Sequence, residues 1–263
     1  MAELNMNTSL NLDQSADSLS QKMSVVDMVW PDQCNHHGTL FGGAALSMLD
    51  RLAFIMGSKV LRGSVVTAAV NGLDFSAPAP AGHLVQCDAY VVKLGKRSVT
   101  IQTELVSEDL LTGVQTKCLS GEFVMVTQNS TLTSMSANSE SGLWGKLNQK
   151  QLHPVVRVAE IVFPGHTNHR GTLHGGPAMG WLAKAAFVAA TRCVRKTVVL
   201  ASSERIDFVA PALVGDVVEV LAQVSHVGNR SITIDLELWS ESPVTGERRF
   251  CTSTRLVYVS VHD

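Results

Sequence analysis

Excess charge, paired cysteines and long apolar runs are all missing from this sequence. Its 263 residues carry 21 Lys and Arg against 23 Asp and Glu, a net charge of −2. With no basic stripe or polycationic tail, nucleic acid is not expected as the main partner. The longest strongly apolar stretch, Ala44 to Met56, is interrupted by Ser47, Asp50 and Arg51. It is too short and too polar to span a bilayer, so no membrane partner is expected. The opening residues 1–22 lack the basic start and apolar run of a signal peptide, and carry acids and no Arg, unlike a transit peptide. Five scattered cysteines (Cys34, Cys87, Cys118, Cys193, Cys251) form no Cys-x-x-Cys. Neither a disulfide framework nor a zinc knuckle is expected, and the chain reads as reduced and cytoplasmic. There is no Gly-x-Ser-x-Gly elbow, so a serine-triad esterase is not supported. No cluster of His, Cys and Glu has metal-ligand spacing, so neither a metal nor another cofactor is implied.

What is present is a repeat. With the chain laid against itself so that Val25 meets Val158, Val25–Val126 falls on Val158–Val259 without a gap, and 42 of the 102 aligned positions are identical. NHHGTLFGG (Asn35–Gly43) lies on NHRGTLHGG (Asn168–Gly176), DFSAPA (Asp74–Ala79) on DFVAPA (Asp207–Ala212), and GKRSVTI (Gly95–Ile101) on GNRSITI (Gly228–Ile234). A period this long means two domains and not a solenoid of short repeats. The expected division is a disordered polar tail over 1–22, a first unit over 23–127, a linker over 128–154 and a second unit over 155–263. The linker is rich in Ser, Asn, Thr and Gln, and its one apolar interruption, Leu143-Trp144, is a candidate anchor to the body.

Periodicity orders each unit. Val25–Trp30 reads as a short strand, followed by a Gly-rich turn and a helix from about Gly42 to Leu61. Strands are expected over Val65–Phe75, Leu84–Lys93 and Ser98–Ser107, and a Thr-Gly turn leads to a last one. In Ser98–Ser107, Val99, Ile101, Thr103 and Leu105 alternate with Thr100, Gln102 and Glu104, the pattern of a strand with one buried face. Each unit is therefore α+β, one long helix and four strands in hairpin order behind a single strand. The helix is apolar nearly all round and needs cover on every side, which a curved antiparallel sheet provides.

A wrapped helix opened by N-x-x-G-x-x-x-G-G and followed by V-V-T-A-x-V…D-F-x-A-P resembles the hotdog fold. More narrowly it resembles the acyl-CoA thioesterases of that fold, the cytosolic acyl-CoA hydrolases, some of which hold two hotdog units in one chain. The resemblance covers both repeats, about four fifths of the sequence. It implies a tandem hotdog: two long antiparallel helices wrapped by a continuous antiparallel β-sheet, with the sites between the units. It implies hydrolysis of acyl-CoA to a carboxylic acid and CoA, without a cofactor. It also implies a homo-oligomer, a trimer of such double units being common in the family.

Asp50 is the residue on which chemistry turns. Ser47, Asp50 and Arg51 share a helix face and could be a solvated stripe. Against that, the flanking turns are apolar, so a carboxylate there is partly desolvated and needs a purpose. Asp50 also matches the family's catalytic carboxylate. Its copy is Ala183, while the adjacent basic position is kept as Arg51 and Lys184. The mirror site, Asn35, Gly42 and Gly43 with Ala183, is expected to be inactive.

Thioester hydrolysis needs a base or nucleophile on one side of the carbonyl and oxyanion donors on the other. Helix N-termini supply such donors. Asp50 lies seven residues past Gly43, about 10 Å along its own helix, so it cannot serve a carbonyl bound there. An antiparallel partner helix would bring Gly175 and Gly176 beside it. The expected catalytic set is Asp50 with Asn168, Gly175 and Gly176. Asp50 could be a general base or a nucleophile. Asn168 could orient water or the thioester, or could cap its own turn. The resemblance implies Arg97 and Arg230 as CoA contacts, though they could equally be ordinary exposed hairpin residues. Thr172 and His174 are further candidates for the substrate; His174, which replaces Phe41 just before Gly175, could line the site or face solvent. His36 and His169 are lesser candidates, and Asp74 and Asp207 read as structural. Two other functions compete. Asp32 and His37 have the spacing of a hotdog enoyl-CoA hydratase or dehydratase, but become Gly165 and Arg170 in the copy. A non-catalytic acyl-CoA sensor is the third reading.

Overall fold

A computed structural model of the chain describes residues 21–127, 142–143 and 153–261. The expected tail over residues 1–20, most of the expected linker and Trp144 lie outside the described residues. The first unit runs β1 (Lys22–Met28), α1 (Gly42–Leu61), β2 (Val65–Phe75), β3 (Leu84–Leu94), β4 (Ser98–Glu108) and β5 (Gln115–Thr127). The second runs β6 (Val156–Ile161), α2 (Gly175–Val194), β7 (Val198–Ser203), β8 (Ile206–Asp207), β9 (Val217–Val227), β10 (Ser231–Glu241) and β11 (Arg248–Ser260). All eleven strands form one antiparallel sheet in the order β1-β3-β4-β5-β2-β7-β11-β10-β9-β6, with β8 also paired to β2. This is the tandem hotdog arrangement that the resemblance implies.

The two units join at a local dyad. Ala69 pairs with Asp207 and Val70 with Ile206, while Leu73 pairs with Ser203 and Asp74 with Ser202. The stretch equivalent to β2 in the second unit is broken into β7 and β8. The residues between them are the charged pair Glu204-Arg205. They face the bulged stretch of β2, where Gly72 takes a positive φ of 50°. Arg205 Nη1 donates to Asn71 Oδ1 across this seam at 2.6 Å. A charged dipeptide opposite a bulge has no ladder to join, which ends the strand.

Both helices lie on the sheet's concave face. Leu46, Leu49, Leu52, Ala53 and Met56 of α1 are buried in the same core as Leu182, Ala183, Ala186 and Ala190 of α2. Each large side chain so covered contributes roughly 1.5–3 kcal/mol. Leu143, inside the expected linker, packs on Leu221 and Trp239, and its N–H donates to Glu237 at 2.8 Å.

The helices cross antiparallel at their smallest residues. A Cβ on Gly43 would lie 2.9 Å from Gly180 Cα, and one on Gly176 would lie 2.9 Å from Ser47 Cα. Alanine at position 43 would add about 1 kcal/mol of helix propensity. Here it meets backbone that cannot rotate away, and overpacking costs roughly 1–3 kcal/mol. We expect the second effect to win, so Gly43→Ala lowers the urea midpoint; a raised midpoint would refute the close crossing.

Candidate active site

Neither helix starts with a capping side chain. Phe41 and His174 stand where Ser, Thr, Asp or Asn usually accept from the first turn, and neither makes such a bond. The first amides of each helix are therefore left for other acceptors. At α2 that acceptor is Asp50 of the other unit: Gly176 N–H donates to its Oδ2 at 2.7 Å. From β2, Thr67 donates its hydroxyl to Oδ1, also at 2.7 Å. The carboxylate is 1% exposed, held on both oxygens, and bound across the unit boundary. A Cβ on Gly175 would lie 2.7 Å from Asp50 Oδ1, so the contact requires glycine. Among the described residues, the N–H of Gly175 has no acceptor. The two glycines expected to act together thus divide: one amide holds the carboxylate, and one is free.

Burial pushes the Asp50 carboxyl above its ordinary 3.8; the hydrogen bonds from Thr67 and Gly176 and the nearby His174 pull it part of the way back. His174 is held below its ordinary 6.5, chiefly by burial, with Arg51 and His169 adding to the effect and Asp50 opposing it.

His174 separates two cavities. One, of about 210 Å³, is walled by Val66, Phe208, Ala210 and Leu238, with Thr67 and Gly175 at its head and Thr172 in its wall. The other, of about 590 Å³, is lined by Ser47, Asp50, Arg51, Phe54, His166 and Trp181. The His174 ring stands edge-on to Phe54, with centroids 4.7 Å apart.

The mirror position keeps the shape and loses the polarity. Ala183 replaces Asp50, Leu200 replaces Thr67 and Phe41 replaces His174. Among the described residues no carboxylate bonds to the Gly43 amide, and the Tyr258 hydroxyl donates to the Ala183 carbonyl at 2.8 Å. Thr67 lies inside the Val-Val-Thr-Ala-x-Val motif, which by itself does not mark it as a partner of Asp50. Its signal was available, since Val-Val-Thr in one copy is Val-Val-Leu in the other.

Other candidates lie apart from the carboxylate. Asn168 Oδ1 accepts from the N–H groups of Arg170 and Thr172 at 2.9 and 3.1 Å. Asn35 Oδ1 accepts likewise from His37 and Thr39 at 2.9 and 3.3 Å. Both side chains cap their own Gly-rich loops, and Asn168 lines neither cavity beside Asp50. Arg97 and Arg230 are exposed on hairpin turns and line none of these cavities; Arg97 Nε donates to Thr127 at 3.4 Å. His36, His169, Asp32 and His37 are exposed, and no hydrogen bond joins Asp32 to His37. Asp207 pairs with Arg205, and Asp74 accepts from Ser76. Among the described residues, no group of three or more His, Cys, Asp or Glu could hold a metal ion, and no helix is long and apolar enough to cross a membrane.

Comparison with known proteins bears on this geometry. The family described as the Thioesterase superfamily matches twice, over residues 37–114 and 170–247. A mouse acetyl-coenzyme A thioesterase is 24% identical over 284 aligned positions, covering 89% of this chain and 50% of its own length. The chain thus spans about half the length of the curated relatives that align along most of it. An acyl-CoA hydrolase of Agrobacterium tumefaciens is 38% identical, covering 92% of this chain and 96% of its own, with a TM-score of 0.42. A putative thioesterase of Novosphingobium aromaticivorans is 12% identical, with coverages of 91% and 96% and a TM-score of 0.65. That last likeness is one of fold.

Proposed function

The chain belongs to the thioesterase superfamily, and from that premise we propose that it hydrolyses acyl-CoA thioesters to a free carboxylic acid and CoA at one site between its units. The observation that carries this is the buried Asp50 carboxylate seated on the Gly176 amide beside an unpartnered Gly175 amide. The names of its curated relatives support a CoA thioester as the substrate.

The side chains around Asp50 suggest a division of the substrate. The 210 Å³ cavity, walled by apolar groups, suits the acyl chain. The wider cavity, with Ser47, Arg51 and His166, suits the amide-bearing arm of CoA and the attacking water. The thioester oxygen is received by the Gly175 N–H, with the α2 dipole behind it. Asp50 takes a proton from water as the water oxygen bonds to the thioester carbon. The carbon–sulfur bond then breaks, and Asp50 returns the proton to the departing sulfur, giving CoA thiol and acid. We favour the general base over the nucleophile because both Asp50 oxygens are already hydrogen-bonded, and attack on carbon would pull one from its donor. Asn168 is a positioning residue here, holding the loop that presents Gly175.

The test is release of free thiol from a panel of acyl-CoAs of rising chain length. Thiol release from at least part of the panel is expected. Water addition to an enoyl-CoA without thiol release would replace this reading with the hydratase, and binding without either product would replace it with a sensor. The exposure of Asp32 and His37 argues against the first. The reading also includes a cytoplasmic homo-oligomer, a trimer of double units. Exposed Val25, Val26 and Ile161 on the sheet's two edge strands support further association. A light-scattering mass no greater than 28.2 kDa would remove it.

A further inference from the structure

The mirror side of the molecule holds a cavity that the proposed reaction does not use. Its volume is about 270 Å³, and it pairs position for position with the 210 Å³ cavity below His174. The frame is unchanged: Ala45, Phe75, Ala77, Pro78, Leu105 and Cys118 have the identical counterparts Ala178, Phe208, Ala210, Pro211, Leu238 and Cys251. The polarity is different. Asp50, Thr67 and His174 on one side are Ala183, Leu200 and Phe41 on the other. One change runs the opposite way, Val209 to Ser76, and that hydroxyl is donated to Asp74 at 3.1 Å.

Loss of the carboxylate alone would silence hydrolysis. The further changes at Leu200 and Phe41 could be explained by stability, since a lone buried hydroxyl or imidazole is costly. Stability would equally favour filling the space with larger side chains, because each Å² of apolar surface removed from water contributes roughly 25 cal/mol. The mirror cavity has not closed; it is the larger of the pair. Its wall is mostly apolar, and a concave apolar wall of this kind accepts apolar ligands.

We propose that the mirror cavity is a second acyl-chain site that binds without hydrolysing. Its ligand is an unbranched apolar chain, carried either by an acyl-CoA or by the released acid. The assignment rests on the reading of the cavity below His174 as the acyl pocket of the hydrolytic site.

The experiment is calorimetric titration of the full chain carrying Asp50→Asn, with dodecanoyl-CoA and, separately, with sodium dodecanoate. Two binding events per chain are expected with dodecanoyl-CoA. Ala77→Trp, which fills the mirror cavity, removes one; Ala210→Trp, which fills its counterpart, removes the other. Leu200→Gln fills nothing but makes the mirror wall polar, and should weaken the mirror event roughly tenfold or more. Should Ala77→Trp fail to fold, Leu200→Gln alone decides. A second event with dodecanoate as well assigns recognition to the tail; one seen only with dodecanoyl-CoA assigns it to the thioester. A single event, lost in Ala210→Trp and indifferent to Ala77→Trp and Leu200→Gln, overturns the second site and leaves the hydrolase standing. Full turnover in Asp50→Asn would instead sink the hydrolytic reading, whatever the stoichiometry.

Discussion

Asp50→Asn removes most turnover and leaves the protein at least as stable as before at neutral pH. The kinetic half of this expectation follows from the proposed role of base: an amide cannot take the proton from water, and general-base catalysis contributes about 10²–10⁴-fold. The stability half follows from burial. The folded state raises the Asp50 pKa above its ordinary 3.8, so the folded chain holds this proton more tightly than the unfolded one. A group shifted upward contributes stability that is complete below 3.8 and is lost as pH rises through the folded value. Above that value the buried charge opposes folding. Asparagine keeps an oxygen for the Gly176 N–H and carries no charge, so the variant's urea midpoint should gain on the wild type as pH rises. The same shift sets the acid limb of the pH–rate profile above the ordinary carboxylate range. Thr67→Val deletes a hydrogen bond that lowers this pKa, and should move the limb to higher pH. A variant with unchanged turnover would remove Asp50 from the chemistry. One that loses stability increasingly at high pH would contradict the burial argument.

The mirror side should regain hydrolysis when three residues are exchanged together. Phe41→His, Ala183→Asp and Leu200→Thr, placed in an Asp50→Asn background, rebuild on that side the groups found around Asp50. The Gly43 amide stands where the Gly176 amide stands on the Asp50 side, and among the described residues no carboxylate faces it. We expect thiol release well above that of Asp50→Asn alone. Ala183→Asp by itself should give little activity and a lower thermal midpoint, because a carboxylate buried between Leu200 and Phe41 lacks the hydroxyl that shares the charge at Asp50. A folded triple variant no more active than its background would mean that the asymmetry between the sides lies elsewhere. Tyr258, which replaces Met125, would then be the next difference to exchange.

Much of this architecture can be read without coordinates. A gapless repeat sets two equal units, and the same comparison singles out Asp50 because Ala183 breaks it. Period-two alternation in Ser98–Ser107 yields a half-buried strand, and the unbroken apolar face of Gly42–Leu61 demands a wrapping sheet. These are local signals: they depend on residues a few positions apart, where spacing alone decides which side chains share a face. The same limit explains the strand that split into β7 and β8. Its interruption depends on the bulge at Gly72, which belongs to the other unit and lies far off along the chain.

Site chemistry is settled at longer range. Which amide holds Asp50, and which stays free, depends on how closely two antiparallel helices approach at Gly43, Ser47, Gly176 and Gly180. Asn168 and Thr67 show what spacing leaves open. The Asn168 Oδ1 caps its own loop, one of the two roles its motif allows, while Thr67, given no role by its motif, donates to the carboxylate. The α+β order of each unit, the duplication and the one helix acid that the second copy lacks are all legible in the order of residues, because each is written in periodicity or in the comparison of one copy with the other. The hydrogen-bond partners of that acid, its burial and the open cavity on the mirror side emerge only when the chain is folded. They are set by distances between segments remote in sequence, and no local pattern of residues encodes those distances.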